Sequence, residues 1–315
     1  MPKLLAQNSA KVAIIGCGRV GMTAAFSLYL KNTVHELVLV GRDRASVIGE
    51  QFDLEHGSSF AGPTTVLATD DYRDIADSDV VVITAGASQN PGDTRLDLLE
   101  KNLAIIDNII PKVVKYAPNS IILMVTNPVD VLTYRAHQLT GWQKGRVFGT
   151  GTTLDTSRFR FHLSEIFKVN PRSIHAYILG EHGDSSFPAV SQATIGGQLI
   201  TTMPEYSEPR VQKAFELSRD AAYKIIESKG STYYAIGVVV EKVVRTIIQN
   251  GRTVLPVSIP LHGQYDLHGV SLSVPCQVGG NGVEKIFETK LSWEEKQQLN
   301  KSAMVLKGYI SRFGS

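Results

Sequence analysis

The sequence predicts an α/β protein in which a doubly wound parallel sheet is followed by a second domain of mixed α/β structure. In the first half of the chain, short apolar runs alternate with longer helical stretches, as in parallel strands whose two faces are covered by helices. In the second half, amphipathic helices and strands bounded by turns follow without this alternation. We therefore expect one domain over residues 1–150 and another over residues 151–315.

Four strands and two helices are predicted in the first half. Each strand is apolar on both faces, as expected inside a parallel sheet: Val12–Ile15, Leu37–Val40, Val80–Thr84 and Ile121–Val125. The helices are predicted at Gly21–Leu30 and Leu96–Lys115. The segment "TNPVD" at Thr126–Asp130 should end the fourth strand in a loop, because proline cannot donate to the ladder.

The second half is predicted to contain three helices and several strands. The stretches "TTLDTSRFRFHLSEIF" and "PRVQKAFELSRDAAYKIIESKG" are typical of helices, and a last helix should run from about Trp293 to Phe313. A strand is predicted at Ile174–Leu179. The stretch from Val254 to Glu288 predicts antiparallel strands with turns at Gly263, Gly269 and "GGNG".

Composition excludes several classes of protein. The 315-residue chain has a formal net charge of +2, which is too balanced to indicate a nucleic-acid or membrane partner. Cys17 and Cys276 are too few for a disulfide framework and lack the spacing of a zinc site, so we expect a cytoplasmic protein without a bound metal. The N-terminal "MPKLLAQNSAK" is too polar for a signal peptide, and no apolar run is long enough to span a bilayer.

Gly16, Gly18 and Gly21 form the pattern G-x-G-x-x-G directly after a strand and at the start of a helix. The first glycine allows a tight turn, the second allows the backbone to approach a pyrophosphate, and the third allows the helix to pack closely on the strand. Glycines after strands often make ordinary turns, but this context favours a Rossmann-type dinucleotide site. Val20, inside the pattern, is a further candidate coenzyme-binding residue.

The second strand is followed by Gly41, where dinucleotide-binding folds usually carry an acid that binds the ribose 2′-hydroxyl. An acid would repel a 2′-phosphate, whereas glycine leaves room for one and the neighbouring Arg42 could pair with it. The missing acid therefore predicts that NADP(H) is accepted as well as NAD(H). Alternatively, Arg42 is only solvated and Asp43 partly replaces the acid.

Three further stretches carry candidate catalytic residues. In "GEHGDSS", His182 follows the end of a strand, where α/β scaffolds form their sites. In "TTLDTSRFR", Asp155 and Arg158 are three positions apart and share a helix face, although an intrahelical ion pair is a simpler interpretation. In "GASQNPGDTRLDLLEKN", a loop carries Arg95 just ahead of a helix, and an ordinary surface loop is the alternative.

Together these motifs resemble the lactate/malate dehydrogenase family, and within it the bacterial L-lactate dehydrogenases. The resemblance covers nearly the whole chain, from "GCGRVG" through "GASQNPGDTRLDLLEKN", "VTNPVD", "GTTLDTSRFRF" and "GEHGDS" to "STYYAIG". It implies reversible hydride transfer between a nicotinamide coenzyme and pyruvate or L-lactate. The alternatives are a malate dehydrogenase of the same fold and a catalytically silent nucleotide-binding homologue.

The resemblance also implies a role for each candidate catalytic residue. His182 would exchange the hydroxyl proton of the substrate, and Asp155 would orient its imidazole. Arg158 would bind the substrate carboxylate, and Arg95 would polarise the reacting carbonyl. Asn127 would bond the substrate oxygen and help to place the nicotinamide.

Two positions of the resemblance bear on the choice of substrate. Malate dehydrogenases of the family carry arginine at the position of Gln89, where it pairs with a second carboxylate, so glutamine favours pyruvate over oxaloacetate. Thr232 in "STYYAIG" would bound the same small pocket, which suits a methyl group. Alternatively, Gln89 is an ordinary surface residue of its loop.

The resemblance implies a second, anionic site at Arg160 and His175. Arg160 follows Arg158 by two positions, so a helix points it to roughly the opposite side, away from the same carboxylate. In the bacterial relatives the arginine and histidine at these positions bind fructose 1,6-bisphosphate at a subunit interface, which implies a homotetramer activated by this effector. A surface arginine beside a half-buried histidine is the alternative.

Overall fold

The computed structural model describes residues 9–87 and 95–312. The first half alternates strands and helices: β1 (Lys11–Ile15), α1 (Arg19–Leu30), β2 (Glu36–Val40), α2 (Ile48–His56), β3 (Thr65–Thr69), β4 (Val80–Ile83), α3 (Arg95–Tyr116), β5 (Ile121–Met124), α4 (Val129–Thr140) and β6 (Val147–Gly149). The four predicted strands are β1, β2, β4 and β5, and the two predicted helices are α1 and α3. The elements β3, β6, α2 and α4 were not predicted.

The second half contains longer helices and many short strands: α5 (Thr153–Phe167), β7 (Ile174–His175), β8 (Ile178–Leu179), β9 (Phe187–Pro188), β10 (Thr194–Ile195), β11 (Gln198–Leu199), α6 (Glu208–Lys229), α7 (Tyr234–Ile248), β12 (Thr253–His262), β13 (His268–Gly279), β14 (Gly282–Ile286) and α8 (Trp293–Ile310). None of these or the other described helices is long and apolar enough to cross a membrane. In the same described residues, no group of three or more His, Cys, Asp or Glu side chains is placed to hold a metal ion.

Two details of the second half differ from the prediction. The single strand predicted over Ile174–Leu179 is wrong, because β7 pairs with β10 in one small sheet and β8 pairs with β9 in another. The turn predicted at Gly269 is also wrong, since this glycine lies inside β13. The pattern of residues along Ile174–Leu179 cannot show that its two ends pair in different sheets, because the pairing depends on strands elsewhere in the chain.

Within the described residues, nine strands form one sheet in the order β14-β13-β12-β6-β5-β4-β1-β2-β3. The strands β1 to β6 pair with one another in parallel, which confirms the predicted doubly wound sheet. The sheet continues into the second half, since β12 runs antiparallel to β6 through the pair Ser258 and Gly149. The strand order reverses beside β1, so the carboxyl ends of β1 and β4 flank the crevice in which such sheets bind ligands.

Packing of the two halves against each other positions the site. No residue of β4 or β5 is exposed, which explains why these strands are apolar throughout. A smaller core beneath α5 contains Phe159, Leu163 and Phe215. The helix α7 lies directly on α1, where a Cβ at Gly237 would be 2.6 Å from Cγ2 of Thr23. The second half therefore reaches the glycine turn that precedes α1.

Candidate active site

The glycine turn after β1 has the geometry that a dinucleotide site requires. Gly16 has φ +108°, and a Cβ there would collide with the backbone of Ala85 at the end of β4. Gly21 lies so close to the Gly16 carbonyl that no side chain fits between α1 and the turn. A Cβ at Gly18 would meet nothing within 4 Å, so the N-terminus of α1 is open to a pyrophosphate on this side. Val20, in the first turn of α1, is half-buried against the core.

Gly41 follows β2 and precedes an exposed arginine, Arg42. A Cβ at Gly41 would lie 2.9 Å from Cγ1 of the buried Val47, so any side chain at this position requires Val47 to move. The carboxylate of Asp43 accepts a hydrogen bond from the Ser46 amide at 2.9 Å and caps a short helical turn. This cap engages one oxygen of Asp43 and leaves the other without a side-chain partner among the described residues.

One carboxylate joins the imidazole and a guanidinium of the candidate catalytic residues. Nδ1 of His182 lies 2.6 Å from Oδ2 of Asp155, and Nη1 of Arg158 donates to Oδ1 of the same carboxylate at 3.1 Å. Asp155 and Arg158 share one face of α5, whereas His182 comes from the loop after β8. The intrahelical ion pair considered from the sequence is thus present, as one part of a larger cluster.

The cluster is mostly shielded from water. The side chains are 26% exposed for His182, 13% for Asp155 and 12% for Arg158. Because Nδ1 of His182 is engaged by Asp155, the ring orientation is set, and Nε2 has no hydrogen-bond partner among the described residues. A ring held in this way can give or take a proton at Nε2.

Electrostatics favour a charged imidazole in this cluster. Burial alone would lower the pKa of His182, but the carboxylates of Asp155 and Asp130 outweigh burial and raise this pKa to about 9. Burial alone would raise the pKa of Asp155, but the attraction of His182 and Arg158 holds it below its ordinary value. These shifts favour an imidazolium and a carboxylate for the pair at neutral pH.

Asp130 also contacts the histidine, although no motif in the sequence singles it out. This residue lies in the first turn of α4, and its Oδ2 accepts a hydrogen bond from the backbone amide of His182 at 2.7 Å. The segment "TNPVD" predicts only a loop after β5. Nothing local links two positions that are 52 residues apart, and the one available signal was an acid directly after that loop.

Asn127 and Thr232 both lie in loops. Asn127 is exposed after β5, and its carbonyl accepts a hydrogen bond from Nδ2 of Asn102 at 2.7 Å. Thr232 lies between α6 and α7, next to Ser231, whose hydroxyl accepts a hydrogen bond from Nη1 of Arg19 at 3.1 Å. Since Arg19 begins α1, this bond ties the Thr232 loop to the glycine turn.

The two remaining candidates come from the segment at the start of α3. Gln89 lies outside the described residues. Arg95 is the first residue of α3, and its side chain is not described. The roles that the resemblance implies for both residues stay predictions.

Arg160 and His175 come from neighbouring elements. Nε of Arg160 donates to the Ala176 carbonyl at 3.0 Å, and its guanidinium lies 5.3 Å from the centre of the Tyr177 ring. His175, on β7, is exposed. Arg160 therefore contacts the segment that carries His175, whereas Arg158 turns to Asp155.

A doubly wound sheet with an open glycine turn, joined to a second half in which a carboxylate holds a histidine and an arginine, has the architecture of the two-domain, dinucleotide-dependent dehydrogenases. The model of the lactate/malate dehydrogenase NAD binding domain matches residues 10–149, and the model of the lactate/malate dehydrogenase alpha/beta C-terminal domain matches residues 152–313. The chain therefore belongs to the lactate/malate dehydrogenase family, which confirms the resemblance seen in its motifs.

Similar proteins match over nearly their whole length. L-lactate dehydrogenase 1 of Clostridium acetobutylicum is 44% identical over 309 residues, covering 96% of this chain and 97% of that protein. The L-lactate dehydrogenase of Priestia megaterium is 46% identical over 304 residues and 95% of each chain. The crystal structure of the minor L-lactate dehydrogenase from Enterococcus mundtii in the ligands-bound form has a TM-score of 0.94 at 37% identity, covering 97% of this chain and 99% of that one.

Proposed function

We propose that the protein is a cytoplasmic oxidoreductase that transfers a hydride reversibly between a nicotinamide coenzyme and pyruvate or L-lactate. The observation that carries this proposal is the Asp155 carboxylate, which joins His182 and Arg158 in one shielded cluster. A 2-oxo acid needs a proton donor for its carbonyl oxygen and a guanidinium for its carboxylate, and both lie side by side here. The relatives named L-lactate dehydrogenase support the same reaction.

The coenzyme, when bound, supplies and takes back the hydride. The open side of Gly18 fits its pyrophosphate, because the backbone there can be approached without a side chain in the way. We therefore assign residues 1–150 to coenzyme binding and residues 151–315 to catalysis and subunit contacts.

During reduction, the imidazolium of His182 donates its Nε2 proton to the carbonyl oxygen of the substrate, and during oxidation the neutral ring accepts it. Asp155 holds the ring at Nδ1 and stabilises its charged form. Arg158 binds the substrate carboxylate with the donors that Asp155 leaves unused. From the resemblance, Arg95 polarises the carbonyl, and Asn127 binds the substrate oxygen and the nicotinamide region.

We assign the choice of substrate to Gln89, and Thr232 bounds the same pocket. An absorbance assay at the nicotinamide band tests both the proposed function and the role of Gln89. Pyruvate and oxaloacetate are compared for the parent and for Gln89→Arg. The parent should prefer pyruvate, and the variant should shift kcat/KM about tenfold or more towards oxaloacetate, because charged hydrogen bonds contribute about 1.5–3 kcal/mol. Gln192→Arg, at an exposed glutamine, controls for the added charge.

Each other outcome of this assay has a defined meaning. A parent that prefers oxaloacetate is a malate dehydrogenase, and a parent without turnover is a silent homologue. If Gln89→Arg retains the pyruvate preference of the parent unchanged, the role assigned to Gln89 is wrong.

We propose NAD(H) as the coenzyme, with NADP(H) also accepted. The match to the NAD-binding family model supports NAD(H). The use of NADP(H) rests on Gly41 and the exposed Arg42, because the residue directly after β2 is a glycine and not an acid that would repel a 2′-phosphate.

Arg42→Ala is expected to lower kcat/KM with NADPH about tenfold and to spare NADH, because charge-assisted hydrogen bonds contribute about 1.5–3 kcal/mol. Gly41→Asp should disfavour NADPH by repulsion. Gly41→Ala is its matched control, since both variants press a Cβ against Val47 and only one adds charge. Rates with each coenzyme are measured at fixed pyruvate, and negligible use of NADPH by the parent excludes the proposed second coenzyme.

We propose further that Arg160 and His175 form part of an anion site for fructose 1,6-bisphosphate between the subunits of a homotetramer. The bond from Arg160 to the Ala176 carbonyl holds the guanidinium next to the strand of His175. Copies of these cations that face each other across an interface would repel until a phosphate neutralises them, so the effector would favour the assembled form.

Fructose 1,6-bisphosphate is expected to lower the half-saturating pyruvate concentration of the parent about tenfold, within the usual range of allosteric coupling. Arg160→Gln should show no shift of the half-saturating concentration. The control is Arg252→Gln, at an exposed arginine directly before β12, and it should respond like the parent. The measurement is a pair of pyruvate saturation curves with and without the effector for each protein. No shift in the parent rejects the regulation.

A further inference from the structure

The side chain of Asp130 holds the loop of His182 by a hydrogen bond to the backbone of that loop. Its side chain is in the first turn of α4, and the residue is only 2% exposed. Oδ2 accepts a hydrogen bond from the backbone amide of His182 at 2.7 Å, so this carboxylate fixes the backbone position from which the imidazole extends. Asp155 contacts the same histidine at the other end, through its ring.

The second oxygen of Asp130 has no hydrogen-bond partner among the described residues. Burial raises the pKa of this carboxyl to about 6, although the nearby Ser258 hydroxyl and the His182 amide and ring oppose the rise. Above that pH the group is an anion in a dry environment, which costs free energy unless a positive charge compensates it.

A comparison with Glu241 shows what is unusual about this anion. Glu241 is fully buried too, but its carboxylate contacts Lys31 at 2.9 Å and Arg245 at 3.1 Å. For Asp130, the positive charge that acts on it is the imidazolium of His182. A neutral acceptor could also hold the backbone amide, although by a weaker hydrogen bond, so loop anchoring alone does not require a charge at this position.

We propose that Asp130 is a second acidic positioning residue, which fixes the backbone of His182 and stabilises its imidazolium in addition to Asp155. The inference rests on the proposed function, because it concerns the proton that His182 exchanges with the substrate. The charged groups that face the histidine are Asp130 from α4 and Asp155 and Arg158 from α5, while Glu181 of its own loop acts on Asp130.

The test replaces the charge and keeps the shape. Asp130→Asn retains an oxygen for the His182 amide and removes the anion. Histidine-labelled protein without coenzyme or substrate is titrated by NMR, and the His182 signal is assigned by its loss in His182→Asn. We expect the pKa of His182 to fall by about one unit, as expected when one nearby opposite charge is removed. The midpoints of the pH profiles of kcat/KM should move by the same amount for pyruvate and for lactate.

Glu241→Gln is the matched control, because it also neutralises a buried carboxylate but away from His182. It should lower the thermal unfolding midpoint and leave the titration of His182 unchanged. Asp130→Asn should not be less stable than the parent above pH 6, since a carboxylate with a raised pKa destabilises the folded state there. If Asp130→Asn does not fold, Asp130→Ser supplies a second neutral acceptor.

A folded, neutral variant in which His182 titrates as in the parent overturns the inference. The NMR titration needs no turnover, so it decides this point even if the parent reduces neither pyruvate nor oxaloacetate. A parent that reduces neither substrate contradicts the proposed function, and the titration still measures the electrostatic effect of Asp130 on His182. The two failures are therefore distinguishable.

Discussion

His182→Asn is expected to lower kcat/KM for pyruvate reduction by about 10²–10⁴-fold, the range in which a positioned acid–base group acts. The amide nitrogen of asparagine occupies roughly the place of Nδ1, so the hydrogen bond to Asp155 can be kept. What is lost is the Nε2 proton that the carbonyl oxygen requires as the hydride arrives. Because both directions share one transition state, lactate oxidation should fall by the same factor.

Initial rates in both directions measure this loss, and NADH fluorescence measures coenzyme binding separately. Coenzyme affinity should change far less than turnover, since the glycine turn proposed for the pyrophosphate contains no residue of the His182 loop. His56→Asn is the matched control, because His56 is exposed and stacks only on Phe52 among the ring contacts described. Turnover by His182→Asn within about tenfold of the parent would exclude the histidine as the proton donor.

The coenzyme half of the molecule was predictable because its signals are local. The run from Val12 to Leu30 contains a buried strand, a turn that needs glycine and a helix start within one stretch of chain. Each part makes the others more specific, since Gly16 needs its positive φ only when strand and helix flank it. The short strands β3 and β6 escaped prediction because brief runs such as "TVLAT" and "VFG" carry too little periodicity to separate them from loop.

The active site was predictable only in part. Helical spacing placed Asp155 and Arg158 on one face, and this was correct. Spacing alone could not decide between an isolated ion pair and a catalytic cluster, because the third member, His182, comes from 27 positions beyond Asp155. That assignment came from the resemblance of the motifs, and the coordinates of all three side chains were needed to see one carboxylate serve both partners.

Contacts between distant positions explain what the sequence did not reveal. Asp130 meets the backbone of His182, and Gly237 meets Thr23, across separations that no window of sequence covers. The pairing of β12 with β6 belongs to the same group, since the edge that receives a strand is a property of the whole sheet. Such contacts follow from tertiary packing and leave no local pattern of residues.

Asp155→Asn is expected to lower the pKa of His182 and to reduce kcat/KM in both directions by about 10²-fold or more, because a positioned acid–base partner is impaired. In this variant, burial and the charge of Arg158 both lower the pKa of His182. Asp130 is the remaining group that raises it. The imidazolium that donates the proton then makes up a smaller fraction of the protein at pH 8 than in the parent. The pH above which pyruvate reduction declines should therefore move down from about 9.

The same pair makes the stability of the folded protein depend on pH. The pKa of His182 is raised from 6.5 to about 9, so its stabilisation is complete below pH 6.5 and is lost as the pH rises through 9. The pKa of Asp155 is lowered from 3.8, so its contribution is present above that pH and is lost on acidification. The parent should lose at most about 3 kcal/mol of unfolding free energy between pH 6.5 and 9 from this ring.

Urea unfolding at a series of pH values, without coenzyme or substrate, measures this loss as the difference between parent and Asp155→Asn. The curve of the variant should be flatter, because Asp155 no longer raises the folded-state pKa of its histidine. Glu165→Gln is the matched control, since it removes an exposed acid from the same helix that contacts only His162 among the ion pairs described. Parallel curves for parent and Asp155→Asn would mean that the carboxylate does not hold the proton on His182, and the imidazolium would need another source of stabilisation.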